Sequence, residues 1–264
     1  MPSPIEDEYA TLDPLAVRIA THEKHSAQPD DVDAAVSAAL NLAGTEHLLD
    51  VGCGTGKFLA RLRNSRHHGT LIGVDISPAA LRSIRALPNV CAVGATATAL
   101  PFSNEAVDVV TARHMLYHVE QPVTALEEFR RVTKQNGTVA LVINHPHVTP
   151  RIRELIETRA TKYGIAAPTQ LMYPIDSRNL PNLVNEVFGN YTIVRYDNAL
   201  VFSSPQPLIA FAISLLGFSG VTLEHPARRA IMRDIAEHVR AWFATSSGPW
   251  RDEKGYVVIT TTCR

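Results

Sequence analysis

The stretch Leu48-Leu49-Asp50-Val51-Gly52-Cys53-Gly54-Thr55-Gly56-Lys57-Phe58 decides the fold. An almost wholly apolar run ends around an acid, three glycines follow at alternate positions, and a helical pattern starts at Lys57. Unbroken apolar runs suit strands buried on both faces. Glycine tolerates positive φ and lets a ligand approach the main chain closely. A strand, a glycine turn and a helix in that order build a crevice at the carboxyl end of a parallel sheet, where nucleotide-like ligands sit.

Outward from this stretch, strand-like runs at 47–51, 70–75, 90–93, 107–112 and 138–144 alternate with helical patterns at 57–66, 77–87 and 122–134. Such alternation implies crossover units and a parallel sheet covered on both faces. Upstream, 12–24 and 31–42 read as helices, the second with Asp30 as its N-cap and Gly44 as its end. Downstream come helical patterns at 152–159 and 180–188, then strand-like runs at 191–197 and 256–263. Between those last two runs lie an apolar helix at 207–218 and an amphipathic one at 227–243. A strand pair normally needs only a short loop, so this insertion is expected to cover a substrate.

Composition removes several classes. The chain has 264 residues, 45% apolar and 19% charged, which excludes a disordered, collagen-like or disulfide-stapled chain. Its net charge of −1 gives no electrostatic footprint for nucleic acid or membrane. Residues 1–33 hold eight acids against two bases, a stretch that reads as a solvated cover. Cys53, Cys91 and Cys263 have no paired spacing, which argues for a reducing compartment. The acidic start MPSPIEDEYA lacks the apolar core of a secretory signal, and the longest apolar run, 208–218, is too short to span a bilayer. A cytoplasmic protein is expected.

Gly52, Gly54 and Gly56 read G-x-G-x-G with Lys57 next, so the G-x-G-x-x-G spacing of dinucleotide sites is absent. Asp50 before the loop would repel a pyrophosphate and attract an ammonium. Asp75 closes Leu71-Ile72-Gly73-Val74-Asp75, nineteen residues after Gly56, where an acid accepts hydrogen bonds from ribose hydroxyls. A ligand with a cationic end, a ribose and an adenine fits: S-adenosylmethionine (SAM). A nicotinamide-linked oxidoreductase is disfavoured by the same glycine spacing.

The order of motifs resembles the class I SAM-dependent methyltransferases, and the flanks resemble their small-molecule, secondary-metabolism members. LLDVGCGTG is similar to the family's first motif and GVDIS to its second. Gly94 to Phe102 with Ala106-Val107-Asp108-Val109-Val110 resembles the third, and LEEFRRVTKQNGTVALVIN (126–144) the fourth helix and fifth strand. The likeness covers roughly residues 45–145. Two departures stand out: Thr96 replaces the acid that usually meets the adenine amine, and Asn136-Gly137 replaces a double glycine.

The resemblance implies an α/β, Rossmann-like, doubly wound sheet of seven strands, mostly parallel with the last antiparallel. It implies a helical lid over 1–44, a SAM-binding core over 45–147, and a completion of the sheet over 148–264 with the insertion at about 199–250. Asp50, Gly52, Cys53, Gly54 and Gly56 would surround the methionine end, Asp75 the ribose and Ile76 an adenine face. Ala95, Thr96 and Ala97 would meet the adenine edge, with Arg113 and His114 beside the sulfur. Tyr9 and His25 would close over the cofactor.

Histidines supply the candidate chemistry. His67-His68 sits in a polar loop and reads as solvated; His22 and His25 lack a third ligand, so no metal is expected. His114, Tyr117 and His118 follow the fourth strand, and His145 follows the fifth, all at the edge where a transferable methyl would sit. A hydroxyl acceptor needs a base, for which imidazole is suited near neutral pH. His118 is the first candidate, His145 the second and His114 the third, with Tyr117 as an orienting or methyl-facing group. The expected function is methyl transfer from SAM to oxygen or nitrogen of a small natural-product intermediate, leaving S-adenosylhomocysteine. The alternative is a SAM-binding protein of the same fold that does not methylate, cyclase-like or regulatory. A monomer or homodimer without nucleic-acid or membrane partners is expected.

Overall fold

A computed structural model describes residues 13–166 and 175–264. Seven strands form one sheet: β1 (Leu48–Val51), β2 (Leu71–Asp75), β3 (Val90–Gly94), β4 (Val107–Arg113), β5 (Thr133–Asn144), β6 (Thr192–Phe202) and β7 (Trp250–Thr262). Their order is β3-β2-β1-β4-β5-β7-β6. The pairs β3–β2, β2–β1, β1–β4 and β4–β5 are parallel, and β7 runs antiparallel to β5. This is the Rossmann-like seven-stranded sheet that the alternation and the resemblance predict.

The helices are α1 (Asp13–His25), α2 (Val32–Leu40), α3 (Lys57–Asn64), α4 (Pro78–Arg85), α5 (Pro122–Val132), α6 (Pro150–Lys162), α7 (Leu180–Phe188), α8 (Pro205–Ser214) and α9 (Arg228–Thr245). Ser77 caps α4 by accepting the Ala80 N–H at 3.3 Å, with Pro78 at the first helical position. Proline is suited there because that N–H has no helical partner. Asp31, rather than Asp30, caps α2: its Oδ1 accepts the Ala34 N–H at 2.9 Å. The helix ends at Asn41, left-handed at φ 46°, before Gly44 is reached. A short amide side chain tolerates that conformation, so the glycine is not needed.

The described chain divides into two compact units. The sheet unit holds 31–146, 175–196 and 256–264. Its strands alternate, apart from an irregularity in β4 between Val107 and Val109. Leu49, Val51, Val110, Ala112, Leu141 and Ile143 pack into one core cluster; Leu48, Val109, Ala140 and Val142 pack into another with Val36, Phe58 and Leu59. Period-two alternation places Asp50, Thr111 and Arg113 on that second face. His67, expected to be solvated, is buried, its Nε2 2.8 Å from the Glu46 carbonyl oxygen. The polar loop folds back because this imidazole satisfies a backbone group.

The helical unit holds 13–30, 147–166 and 197–255. Ile152, Leu155, Phe202, Leu208, Phe211, Ile231, Ile235 and Trp250 form its core. The apolar residues of α8 are therefore taken up by this core. Asp252 accepts the Arg151 and Ile152 N–H groups at 3.2 and 2.7 Å, capping α6 from the remote strand β7. The acidic segment is not uniformly solvated either: Asp30 is buried against Lys254, whose ammonium also donates to Ser26 Oγ at 2.7 Å and meets His22 Nδ1 at 3.0 Å. Burial pushes the Lys254 ammonium below its ordinary range, and the Asp30 carboxylate opposes that shift. Among the described residues no helix is long and apolar enough to cross a membrane.

Removing one partner of a buried ion pair leaves a charge without compensation. Lys254→Ala is expected to lower stability by about 3–5 kcal/mol in urea unfolding. A change below about 1 kcal/mol, the range of an exposed pair, would show that the contact is solvated.

Candidate cofactor-binding site

β1 and β4 are neighbours in register, with Asp50 opposite Thr111. Asp50 is 0% exposed, and its carboxylate is enclosed. Oδ1 accepts Thr111 Oγ1 at 2.7 Å and Arg113 Nε at 3.3 Å, while Oδ2 accepts Arg113 Nη2 at 2.9 Å. Arg113 also donates from Nη1 to Asp33 Oδ1 on α2 at 2.6 Å. The Phe58 ring covers one face of the guanidinium at 4.3 Å. Two carboxylates thus share one arginine. Burial raises the Asp33 carboxyl above its ordinary range, with Arg113 opposing and Asp50 reinforcing the rise. Asp33 belongs to the acidic segment that the sequence reads as solvated; it is buried instead.

The glycine loop turns at Gly52, Gly54 and Gly56, with φ of 66°, 55° and 74°. At Gly52 a Cβ would stand 2.7 Å from Met115 Cβ, so both the turn and the packing exclude a side chain. Cys53 is buried, its Sγ donating to the Val74 carbonyl at 3.2 Å, and burial pushes its thiol pKa far up. Asp75 Oδ2 accepts the Gly54 N–H and Oδ1 the Ser77 N–H, both at 2.9 Å. A carboxylate oxygen has further lone pairs, so both oxygens still have acceptor capacity. Burial raises the Asp75 carboxyl, against the pull of those N–H groups. Ile76 beside it is 53% exposed at the strand end. Along β3 and the turn after it, Ala95 N–H bonds the Asp75 carbonyl at 3.4 Å, Ala97 is buried, and Thr96 Oγ1 stands 3.3 Å from Thr98 Oγ1.

The histidines separate by environment. His114 is left-handed at φ 51°, its ring edge-on to Tyr256 at 5.7 Å, and Tyr256 stacks on Tyr196 at 4.9 Å. Tyr117 and His118 lie in a short 3₁₀ turn, Leu116–His118, with rings perpendicular at 4.5 Å. His145 is buried, with Nδ1 2.8 Å from Ser177 Oγ. Ser177 is held by its own N–H to the Asn144 carbonyl at 3.0 Å. His25 lies in the helical unit, stacked on Phe202 at 5.1 Å. Tyr9 lies outside the described residues.

Asp33, Thr111, Ser177 and Tyr256 are participants that the sequence reading passes over. For Thr111 a signal existed: with Arg113 it breaks an apolar strand at alternate positions, beside a strand broken by Asp50. Three polar residues on one buried sheet face need each other. Ser177 follows His145 by 32 positions and carries no such mark.

Sheet order, a glycine turn after β1 and an acid ending β2 define a class I nucleotide-type α/β fold. Residues 49–141 match the methyltransferase domain family. Over that stretch the chain carries a SAM-dependent methyltransferase domain of the class I type. It is 30% identical over 144 residues to an O-methyltransferase of Aspergillus sclerotiorum, covering 49% of this chain and 54% of that one. It is 36% identical over 97 residues to a demethylmenaquinone methyltransferase of Roseiflexus castenholzii, covering 35% of this chain and 40% of that one. The chain thus spans about half the length of the curated relatives it matches. Among solved structures, a [4+2]-cyclase shares the fold at TM-score 0.59 and 19% identity, covering 99% of this chain and 97% of that one.

The contact of Met115 with Gly52 sets a prediction. Gly52→Ala is expected to lower stability by about 1–3 kcal/mol through overpacking. Adding Met115→Ala should recover part of that loss in the same denaturation assay. No recovery would show that backbone strain at φ 66° carries the whole effect.

Proposed function

We propose that the chain transfers a methyl group from S-adenosylmethionine to an oxygen, or a nitrogen, of a small-molecule acceptor of the natural-product type. The observation that carries this reading is the Asp75 carboxylate, fixed by the Gly54 and Ser77 N–H groups beside the exposed Ile76. A ribose hydroxyl pair suits the remaining lone pairs, and an adenine ring would cover Ile76. Gly52, Gly54 and Gly56 keep the loop free of side chains for the methionine end. The names of the two relatives, an O-methyltransferase and a demethylmenaquinone methyltransferase, support a small acceptor.

The bound cofactor supplies a methyl group on a sulfonium, a strongly activated leaving group. The protein has to hold the acceptor in line and exclude water. For a hydroxyl acceptor, His118 takes the proton, with Tyr117 orienting its ring at 4.5 Å. His145, held by Ser177, is the second candidate and His114 the third. An amine acceptor, bound neutral, needs no base.

Asp75→Ala is expected to weaken binding of S-adenosylhomocysteine by about 1.5–3 kcal/mol in calorimetry, since a charged acceptor is lost. Unchanged affinity would remove the ribose assignment. Ribose donors favour the ionised carboxylate, so wild-type affinity should fall as pH drops through the raised Asp75 range, above the ordinary 3.8. In Asp75→Asn that limb should disappear.

His118→Ala should leave cofactor affinity intact and lower turnover by a factor on the order of 10²–10⁴. Wild-type turnover should rise with pH through the range where imidazole loses its proton, and that limb should be absent in the variant. A larger loss in His145→Ala moves the base to the loop after β5. A loss under tenfold in both variants points to an amine acceptor. Cofactor binding with no 14 Da gain on any acceptor, read by mass spectrometry, would contradict methyl transfer itself.

A further inference from the structure

We propose that Asp33 on α2, and not Asp50 of the glycine-loop motif, is the carboxylate that receives the α-ammonium of the cofactor. The inference rests on the reading of the sheet unit as a SAM site. Asp50 precedes the loop in sequence, but its side chain is 0% exposed and both its oxygens are engaged by Thr111 and Arg113. A ligand ammonium has no approach to it. The charge is passed outward instead. Arg113 spends one edge of its guanidinium, Nε and Nη2, on Asp50, and Nη1 reaches Asp33. The bridge carries two carboxylates and one guanidinium, so a formal charge of −1 remains.

That residual charge sits at the accessible end. The Asp33 side chain is 11% exposed, and Oδ1 alone accepts from Arg113. Among the described residues none donates a hydrogen bond to its Oδ2. A carboxylate that is mostly desolvated and half-satisfied is a strong acceptor for a cation, because a charge-assisted bond gains in such surroundings. Lys57 contributes to the field at Asp33 from α3 and Asp31 opposes it, neither with a hydrogen bond to the Asp33 carboxylate in the described structure.

Calorimetry with three probes tests the assignment: S-adenosylhomocysteine, its deaminated analogue, which keeps the carboxylate, and 5′-methylthioadenosine, which lacks the amino-acid end. Wild type should prefer S-adenosylhomocysteine to the deaminated analogue by about tenfold to a hundredfold, the range of a hydrogen bond to a charged group. Asp33→Asn should lose that preference and bind 5′-methylthioadenosine as wild type does. Asp33→Glu, which restores the charge, should keep part of the preference. A preference retained in Asp33→Asn, or absent in wild type that still binds S-adenosylhomocysteine, would overturn the assignment and leave the SAM reading standing. An equal loss for all three probes in Asp33→Asn would overturn it in favour of a role in the fold. Wild type binding none of the probes would remove the SAM reading and this inference with it.

Discussion

A carboxylate without solvent contact constrains everything around the glycine loop. Asp50 lies in a strand buried on both faces, and an uncompensated charge there costs several kcal/mol. Arg113 is the compensation, and it comes from the end of the neighbouring strand, in register through Thr111. The ion pair therefore ties the strand that leads into the glycine turn to the strand that leads into His114, Tyr117 and His118. Arginine suits the task, since its planar fork meets Asp50 on one edge and leaves Nη1 for Asp33. Phe58, in the first turn of α3, packs on the same guanidinium, so loop, helix and both strands share one fixed point.

The rest of the sheet unit is organised by alternation. Residues on one strand face enter the cluster with α5 and α7; those on the other enter the cluster with α2 and α3. This periodicity was readable, and with it the strand order of the family. Fold, loop and the acid ending β2 all follow from apolar runs punctuated by glycine and aspartate. The extent of β5 and β7 did not follow. Lys134, Gln135 and Asn136 are polar and read as a helix end and a turn, yet they extend β5 toward Asp108, which Lys134 pairs at 2.8 Å.

What stayed hidden was the fate of individual charges. Asp30, Asp31 and Asp33 stand within four positions and look alike in sequence. One pairs with buried Lys254, one caps α2, and one joins Arg113. Only the partner distinguishes them, and for Asp30 and Asp33 it comes from a distant part of the chain. The same holds for His67: a polar loop gives no sign that the Glu46 carbonyl, ahead of β1, takes its imidazole. Glycine and proline write their constraints locally, whereas ion pairs write theirs across the fold.

The placement of the three thiols has a practical consequence. Cys53 is sealed within the glycine loop and Cys263 at the end of the sheet; burial holds both as neutral thiols, which are poor nucleophiles. Cys91 alone is exposed, on β3. An alkylating fluorophore or spin label therefore goes to one position in the native chain, on the strand beside β2. Peroxide or an electrophile in the surroundings meets that same outer thiol before it can reach the one inside the loop.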